Sequence, residues 1–222
     1  MRRGPLGMAA TFHPNNLAAR RTTRICYPRR MDIANAIRAY QPTNEQEAAD
    51  RRIMLEQLAS DPACFERTSP RHFTASAWTV DPSGTQTIMA YHKIYDSWAW
   101  IGGHADGERD LAAVALRELR EETGVVNARL VELPAGGILS LEALTVDGHE
   151  KRGAYVSSHI HLNVTYLFVA APDDELRVKP DENSGVRWFS LEGALAASTE
   201  PWMRNRIYRK LVARTVELRG EL

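Results

Sequence analysis

Hydrophobic positions change period along the chain, and the changes mark its elements. "MDIANAIRAY" from Met31 and "EQEAADRRIMLEQLAS" from Glu45 have helical spacing; Thr43 or Asn44 can cap the second, and Ala48, Ile53, Leu55 and Leu58 give it an apolar side. Glu45, Glu47 and Asp50 of that helix read as a solvated face. Period two then takes over: "HFTASAWTV" predicts a strand, "DPSGT" a turn and "QTIMAYHK" the partner strand, with "WAWI" a short strand running into Gly102-Gly103. "ARLVELPAGGILSLEALTV" predicts strand, break, strand, and "DGHEKRGAYVSS" a loop. In "HIHLNVTYLFVA", Ile160, Leu162, Val164, Tyr166 and Phe168 point one way and His159, His161, Asn163 and Thr165 the other. A short strand "VRWFS" precedes a helix near Leu191–Ala197. A last helix runs from about Pro201 to Leu218, with Ile207, Leu211 and Val212 as its packing stripe and Arg204, Arg206, Arg209 and Lys210 outside. Strands interleaved with helices predict an α/β fold, a mixed β-sheet sandwiched between helices.

Residues 1–30 have no such period. They contain seven arginines and no acid, and read as a disordered extension. The organisation expected is therefore 1–30 extension, 31–66 helical segment, 67–200 main domain and 201–222 C-terminal helix. Lys+Arg and Asp+Glu balance at 28 each, so no global field points to a nucleic-acid polymer or an anionic membrane. No apolar run is long enough to span a bilayer. The two cysteines, Cys26 and Cys64, make no disulfide framework, which favours a reducing, cytoplasmic setting.

The chemistry concentrates in "GGHADGERDLAAVALRELREETGV", Gly102 to Val125. Asp110 suits an N-cap and Gly124 a C-terminal cap, so a helix of about three turns lies between them. Residues three and four apart share a helix face, which puts Glu118 beside Glu121 and Glu122. Three carboxylates at a helix C-terminus, where the macrodipole disfavours negative charge, need compensation. Arg117 and Arg120 offer some. A hard divalent cation such as Mg²⁺ or Mn²⁺, which takes oxygen ligands, offers more, and Gly102-Gly103 lets backbone approach it closely.

This segment resembles the Nudix box, G-x5-E-x7-R-E-U-x-E-E-x-G-U with U aliphatic. Arg117 to Val125 fits every specified position of its second half. With Gly103 as the box glycine, the first glutamate position holds Arg109, while Glu108 is displaced by one residue; Glu108 or Asp106 is expected to take over its supporting role. The resemblance covers about residues 70 to 200, with the outer helices as additions. It implies the Nudix fold and a hydrolase that cleaves a diphosphate linkage in a nucleoside diphosphate derivative or related small diphosphate, with Mg²⁺ or Mn²⁺ as cofactor. Glu118, Glu121 and Glu122 would hold the metal, with a carbonyl from Gly102, and Arg117 would orient the glutamates. The general base would be a box glutamate or a later acid, for which Glu182 is favoured over Asp181. Homodimers recur among such proteins, and the added helices offer a surface for one.

Outside the box, His104, Lys93, Arg152 and Trp98 are the substrate-binding candidates, with Lys151, Lys179, Tyr95 and Trp100 behind them. His159 and His161 form an H-x-H pair capable of ligating a metal, but no third nitrogen or sulfur ligand is evident, so the pair reads as pocket lining or surface. Two other functions compete. A nucleotide-sensing Nudix module usually loses box carboxylates, which are present here. An isomerase of the isopentenyl-diphosphate type needs an active-site cysteine. Cys64 precedes the first core strand and Cys26 lies in the arm, so this reading ranks below hydrolysis.

Overall fold

The computed structural model describes residues 31–94, 96–151 and 153–222. The arginine-rich residues 1–30, with Cys26, lie outside them, as do Tyr95, Arg152 and the Lys151 side chain. The long strands are β1 (Arg71–Val80) and β9 (His159–Ala170), which run parallel in unbroken register from Arg71 opposite Ile160 to Val80 opposite Val169. On the far edge of β9, β5 (Ala128–Leu130) and β6 (Ile138–Val146) pair antiparallel, one after the other. The far edge of β1 is shared. Its middle, Thr74 to Ala77, pairs with β4 (Ile101–His104), its last residue with β2 (Gln86–His92), and β2 carries β3 (Ser97–Ala99) and β10 (Asn183–Ser190). Together they make one mixed sheet of eight strands.

Alternation along β1 and β9 sends apolar side chains to both faces, and each face has its own helices. Phe73, Ala75, Leu162, Val164, Tyr166 and Phe168 belong to a core shared with Leu111, Val114, Ala115 and Leu119 of α3 (Leu111–Thr123). That core also takes in Ile33 and Ile37 of α1 (Ile33–Ala39) and Met54 of α2 (Glu45–Ser60). Trp78, Leu167 and Val169 meet Leu191 and Leu195 of α4 (Leu191–Ala197), then Ile207, Tyr208 and Leu211 of the C-terminal helix. The expected α/β/α sandwich is thus present. The last helix is not uniform: a π-helical stretch, Met203–Tyr208, leads into α5 (Arg209–Glu217). The segment expected to be a loop after β6 contains a small hairpin, β7 (His149–Lys151) with β8 (Ala154–Val156). Its ladder is local and each strand is three residues long, too short for hydrophobic alternation to announce it.

Two expected surface charges are core charges. Glu47 is fully buried, and the Lys210 side chain is only 7% exposed. Lys210 Nζ lies 3.1 Å from Glu47 Oε1 and 3.1 Å from Glu142 Oε1, tying α2, α5 and β6 together. Glu47 also accepts from the Tyr40 hydroxyl at 2.7 Å, from Ser140 Oγ at 2.9 Å and from the N–H and hydroxyl of Thr43, both at 2.8 Å. Burial alone would raise its carboxyl. The Lys210 ammonium and these donors overcome it and hold the group at about 2.

Candidate active site

α3 starts and stops where its sequence dictates. Asp110 accepts from the Ala113 N–H at 3.1 Å as N-cap, and Gly124 closes the helix at φ 77°, a conformation glycine takes without strain. The last turn carries the acids. Glu122 is buried, Glu118 partly so, and the Glu121 side chain is 49% exposed. The segment before β10 comes back to this turn because buried Asn183 donates its Nδ2–H to the Glu122 carbonyl at 3.1 Å. That clamp delivers the neighbouring Glu182. Carboxylate oxygens of Glu118, Glu122 and Glu182 then lie within 4.8 Å of one another.

Arg117 Nη2 donates to Glu118 Oε1 at 3.1 Å and to the His104 carbonyl at 3.4 Å, which fixes the glutamate against β4. Glu121 stands outside the trio and meets Lys179 Nζ at 3.4 Å; the same ammonium pairs with Glu182 at 3.0 Å. The Gly102 N–H donates to Glu122 Oε1 at 3.3 Å. Both glycines of β4 are needed small: a Cβ on Gly102 would sit 2.7 Å from the Ala75 carbonyl oxygen, and one on Gly103 2.5 Å from Glu118 Cδ.

Burial, then the charges of Glu182 and Glu118, push the Glu122 carboxyl up to about 8. Glu118 is also raised, by burial, though Arg117 works against it. Oxygen donors crowded this way, short of positive charge and too close to ionise together, fit a hard divalent cation. Of the acids near the displaced box position, Glu108 Oε1 accepts from the N–H groups of Arg109 and Asp110 at 2.7 and 2.8 Å. Asp106 forms a two-point pair with Arg67 at 2.5 and 2.7 Å, which holds its carboxyl below the usual range. Both line an outer acidic cleft with Glu118, Glu121, Lys179 and Glu182.

Glu122 and Glu182 of the trio border a cavity of about 840 Å³ over the polar face of β1, β4 and β9. Thr74, Ser76, His161 and Asn163 line its sheet side, with Gly102, Gly103 and His104 beside Glu122 and Glu182. The opposite wall is Trp100, Tyr208 and the Glu200–Met203 segment. Of the substrate-binding candidates, His104 is in the wall. Trp98 is outside it, edge-on to Phe189 and covered by the Arg187 guanidinium 4.6 Å from its ring. Lys93 donates to the Pro180 carbonyl. Arg152 falls outside the described residues. Trp100, one of the second-rank candidates, is in the wall; sequence reading missed Trp202 and Tyr208. Trp100 sits at the junction where the chain leaves the β2 edge for the β1 edge, a change of partner that alternation cannot register. Cys64 is buried in the α3-side core.

His161 does not stand with His159 alone. His72, opposite it on β1, and His104, at the end of β4, complete a group of four imidazoles. Burial, with His104, His72 and His159 around it, pushes the His161 imidazole down to about 2.

A family model described as the NUDIX domain matches residues 70–211. Among curated relatives, "Nudix hydrolase 27, chloroplastic" of Arabidopsis thaliana is 34% identical over 85 residues, a stretch that spans 37% of each chain. Among solved structures, a hydrolase of the NUDIX family from Clostridium perfringens superposes with a TM-score of 0.49 at 19% identity, over 67% of this chain and 98% of that one. The C. elegans Ap4A hydrolase in a binary complex gives 0.48 at 16% identity, over 68% and 98%. Because the matched residues take in well over half of the sequence, and the acid-bearing helix with both of its flanking strands, the chain belongs to the Nudix family.

Proposed function

We propose that the protein is a divalent-metal-dependent hydrolase of a small diphosphate, with a nucleotide-linked compound as the favoured substrate. One observation carries this: three clustered carboxylates, Glu118, Glu122 and Glu182, of which Glu122 and Glu182 line a cavity large enough for a small-molecule ligand. These three would hold Mg²⁺ or Mn²⁺, with Glu121 at the outer edge. When bound, the cation supplies the charge that phosphate oxygens and an attacking water require. Arg117 holds Glu118 in place. Glu182, on a segment clamped by Asn183, is the acid we favour as general base. Lys179, already between Glu121 and Glu182, is placed to meet a phosphate that enters the acidic cleft. Trp100 and Trp202 offer flat surfaces for a base or sugar, which favours a nucleotide-linked substrate. The hydrolase name of the Arabidopsis relative points the same way. No helix among the described residues is long and apolar enough to cross a membrane, and cysteine usage favours a cytoplasmic setting.

The test is a panel of diphosphate compounds with Mg²⁺ or Mn²⁺, followed by release of phosphate or mononucleotide. Glu118→Gln is expected to reduce turnover by at least roughly 100-fold while the thermal transition stays in place. Turnover unchanged by Glu118→Gln would remove the acidic site from the mechanism. Tight nucleotide binding without any turnover would favour the sensing module instead.

A further inference from the structure

The four histidines have the arrangement of a second metal site, one built from nitrogen rather than oxygen. His72 comes from β1, His104 from β4, and His159 and His161 from β9, all on the polar face of the sheet. His72 is central: its ring centroid lies 5.2 Å from that of His104 and 5.1 Å from those of both His159 and His161. One ring nitrogen from each of the four can be chosen so that all lie within 4.8 Å of one another. Tetrahedral ligation at about 2.0–2.1 Å sets nitrogens roughly 3.4 Å apart, within reach of small ring rotations.

Hydrogen bonding selects the ligating tautomer of His72 and His159, while His159 Nε2 and His161 Nε2, 3.0 Å apart, share one proton that a metal ion would displace. His72 Nδ1 lies 2.7 Å from the Ser69 carbonyl oxygen, and His159 Nδ1 lies 2.8 Å from that of Ser157. A carbonyl only accepts, so each Nδ1 carries the proton and each Nε2 keeps its lone pair. Metal-bound histidines are held this way, by the ring nitrogen that does not ligate. The second observation is independent of the clustering. His72 is 2% exposed, yet its Nε2 has no hydrogen-bond partner. A buried acceptor left without a donor is destabilising unless something electropositive meets it.

We propose that His72, His104, His159 and His161 bind a borderline transition-metal dication, Zn²⁺ above all, at a site separate from the carboxylate trio. Imidazole nitrogens suit Zn²⁺, Ni²⁺ and Cu²⁺, whereas Mg²⁺ and Mn²⁺ prefer the oxygens of the trio. The chain thus sorts two classes of cation by donor atom. His104 and His161 also line the cavity, so the nitrogen site forms part of its wall.

The test is titration of the EDTA-treated, dialysed full chain with Zn²⁺, and with Co²⁺ as a coloured surrogate, by calorimetry and visible absorption. The expected result is one Zn²⁺ per chain bound in the presence of excess Mg²⁺, and a Co²⁺ spectrum of the intensity that low-coordinate nitrogen ligation gives. His104→Gln and His161→Gln should each weaken Zn²⁺ binding by at least roughly 100-fold, the upper end of what loss of a supporting partner alone costs. Glu118→Gln should leave it unchanged. The partly exposed His104 keeps the test usable if the His161 variant does not fold. Three results overturn the proposal: no Zn²⁺ bound at micromolar concentration, Zn²⁺ displaced by Mg²⁺, or Zn²⁺ lost in Glu118→Gln but retained in the histidine variants. None of these readouts depends on hydrolysis, so failure here leaves the carboxylate site standing.

Discussion

Replacing Lys210 by methionine keeps a side chain of similar length and removes one charge from between two acids. Glu47 and Glu142 are both fully buried, and each is 3.1 Å from Nζ. Stranding a buried charge by removing its partner costs about 3–5 kcal/mol. The Glu47 carboxyl points the same way: burial raises it, and the Lys210 ammonium does most among the groups that overcome burial and hold it low. For a domain of this size, 3–5 kcal/mol lowers the melting temperature by about 6–20 °C. The assay is urea unfolding followed by tryptophan fluorescence, at pH 7 and pH 5. In the native protein Glu47 is lowered, so its contribution is complete above about 4.5 and is lost as pH falls from there toward 2. In Lys210→Met the buried Glu47 carboxyl, without its ammonium, binds a proton more readily when folded than when unfolded, so that variant gains stability between pH 7 and pH 5. The gap between the two proteins should therefore narrow at pH 5. A loss below about 1 kcal/mol at pH 7, or a gap that widens at pH 5, would refute the reasoning.

Gly103→Ala should disable the site without unfolding it. The added Cβ would lie 2.5 Å from Glu118 Cδ and 2.7 Å from Oε1, and a flexible carboxylate can yield where backbone cannot. A displacement of that order is worth about 100-fold in turnover, with stability within about 1 kcal/mol, checked by steady-state kinetics beside a thermal melt. Leu211→Ala, at a fully buried position facing Trp78 and Tyr208, should cost about 2–5 kcal/mol in denaturant unfolding. A loss under 1 kcal/mol would mean that α5 is not part of the core.

How far sequence reached depended on the range of the interaction. α3 was legible because its caps, apolar stripe and acids all lie within one short segment. β9 was legible for the same reason, since alternation assigned Leu162 and Asn163 to opposite faces. Glu47 and Lys210 were misread because each is a solvated charge when judged on its own helix; only the tertiary fold makes them partners. The histidine group shows an intermediate case. Two members share a strand and were noticed, while His72 and His104 join only through the pairing of β1 with β9 and β4. Glu182 was found by resemblance, but Asn183, which anchors its segment to α3, carries no signal beyond being a polar residue in a polar turn.

The Lys210 junction makes the two flanks of the sheet unequal. Without α2, Lys210 would still neutralise Glu142, and what is lost is the apolar side of α2 that packs on the core. Without α5, Glu47 and Glu142 would face each other with the shared cation gone. For the buried charges, then, shortening from the front is the milder injury and shortening from the back the abrupt one.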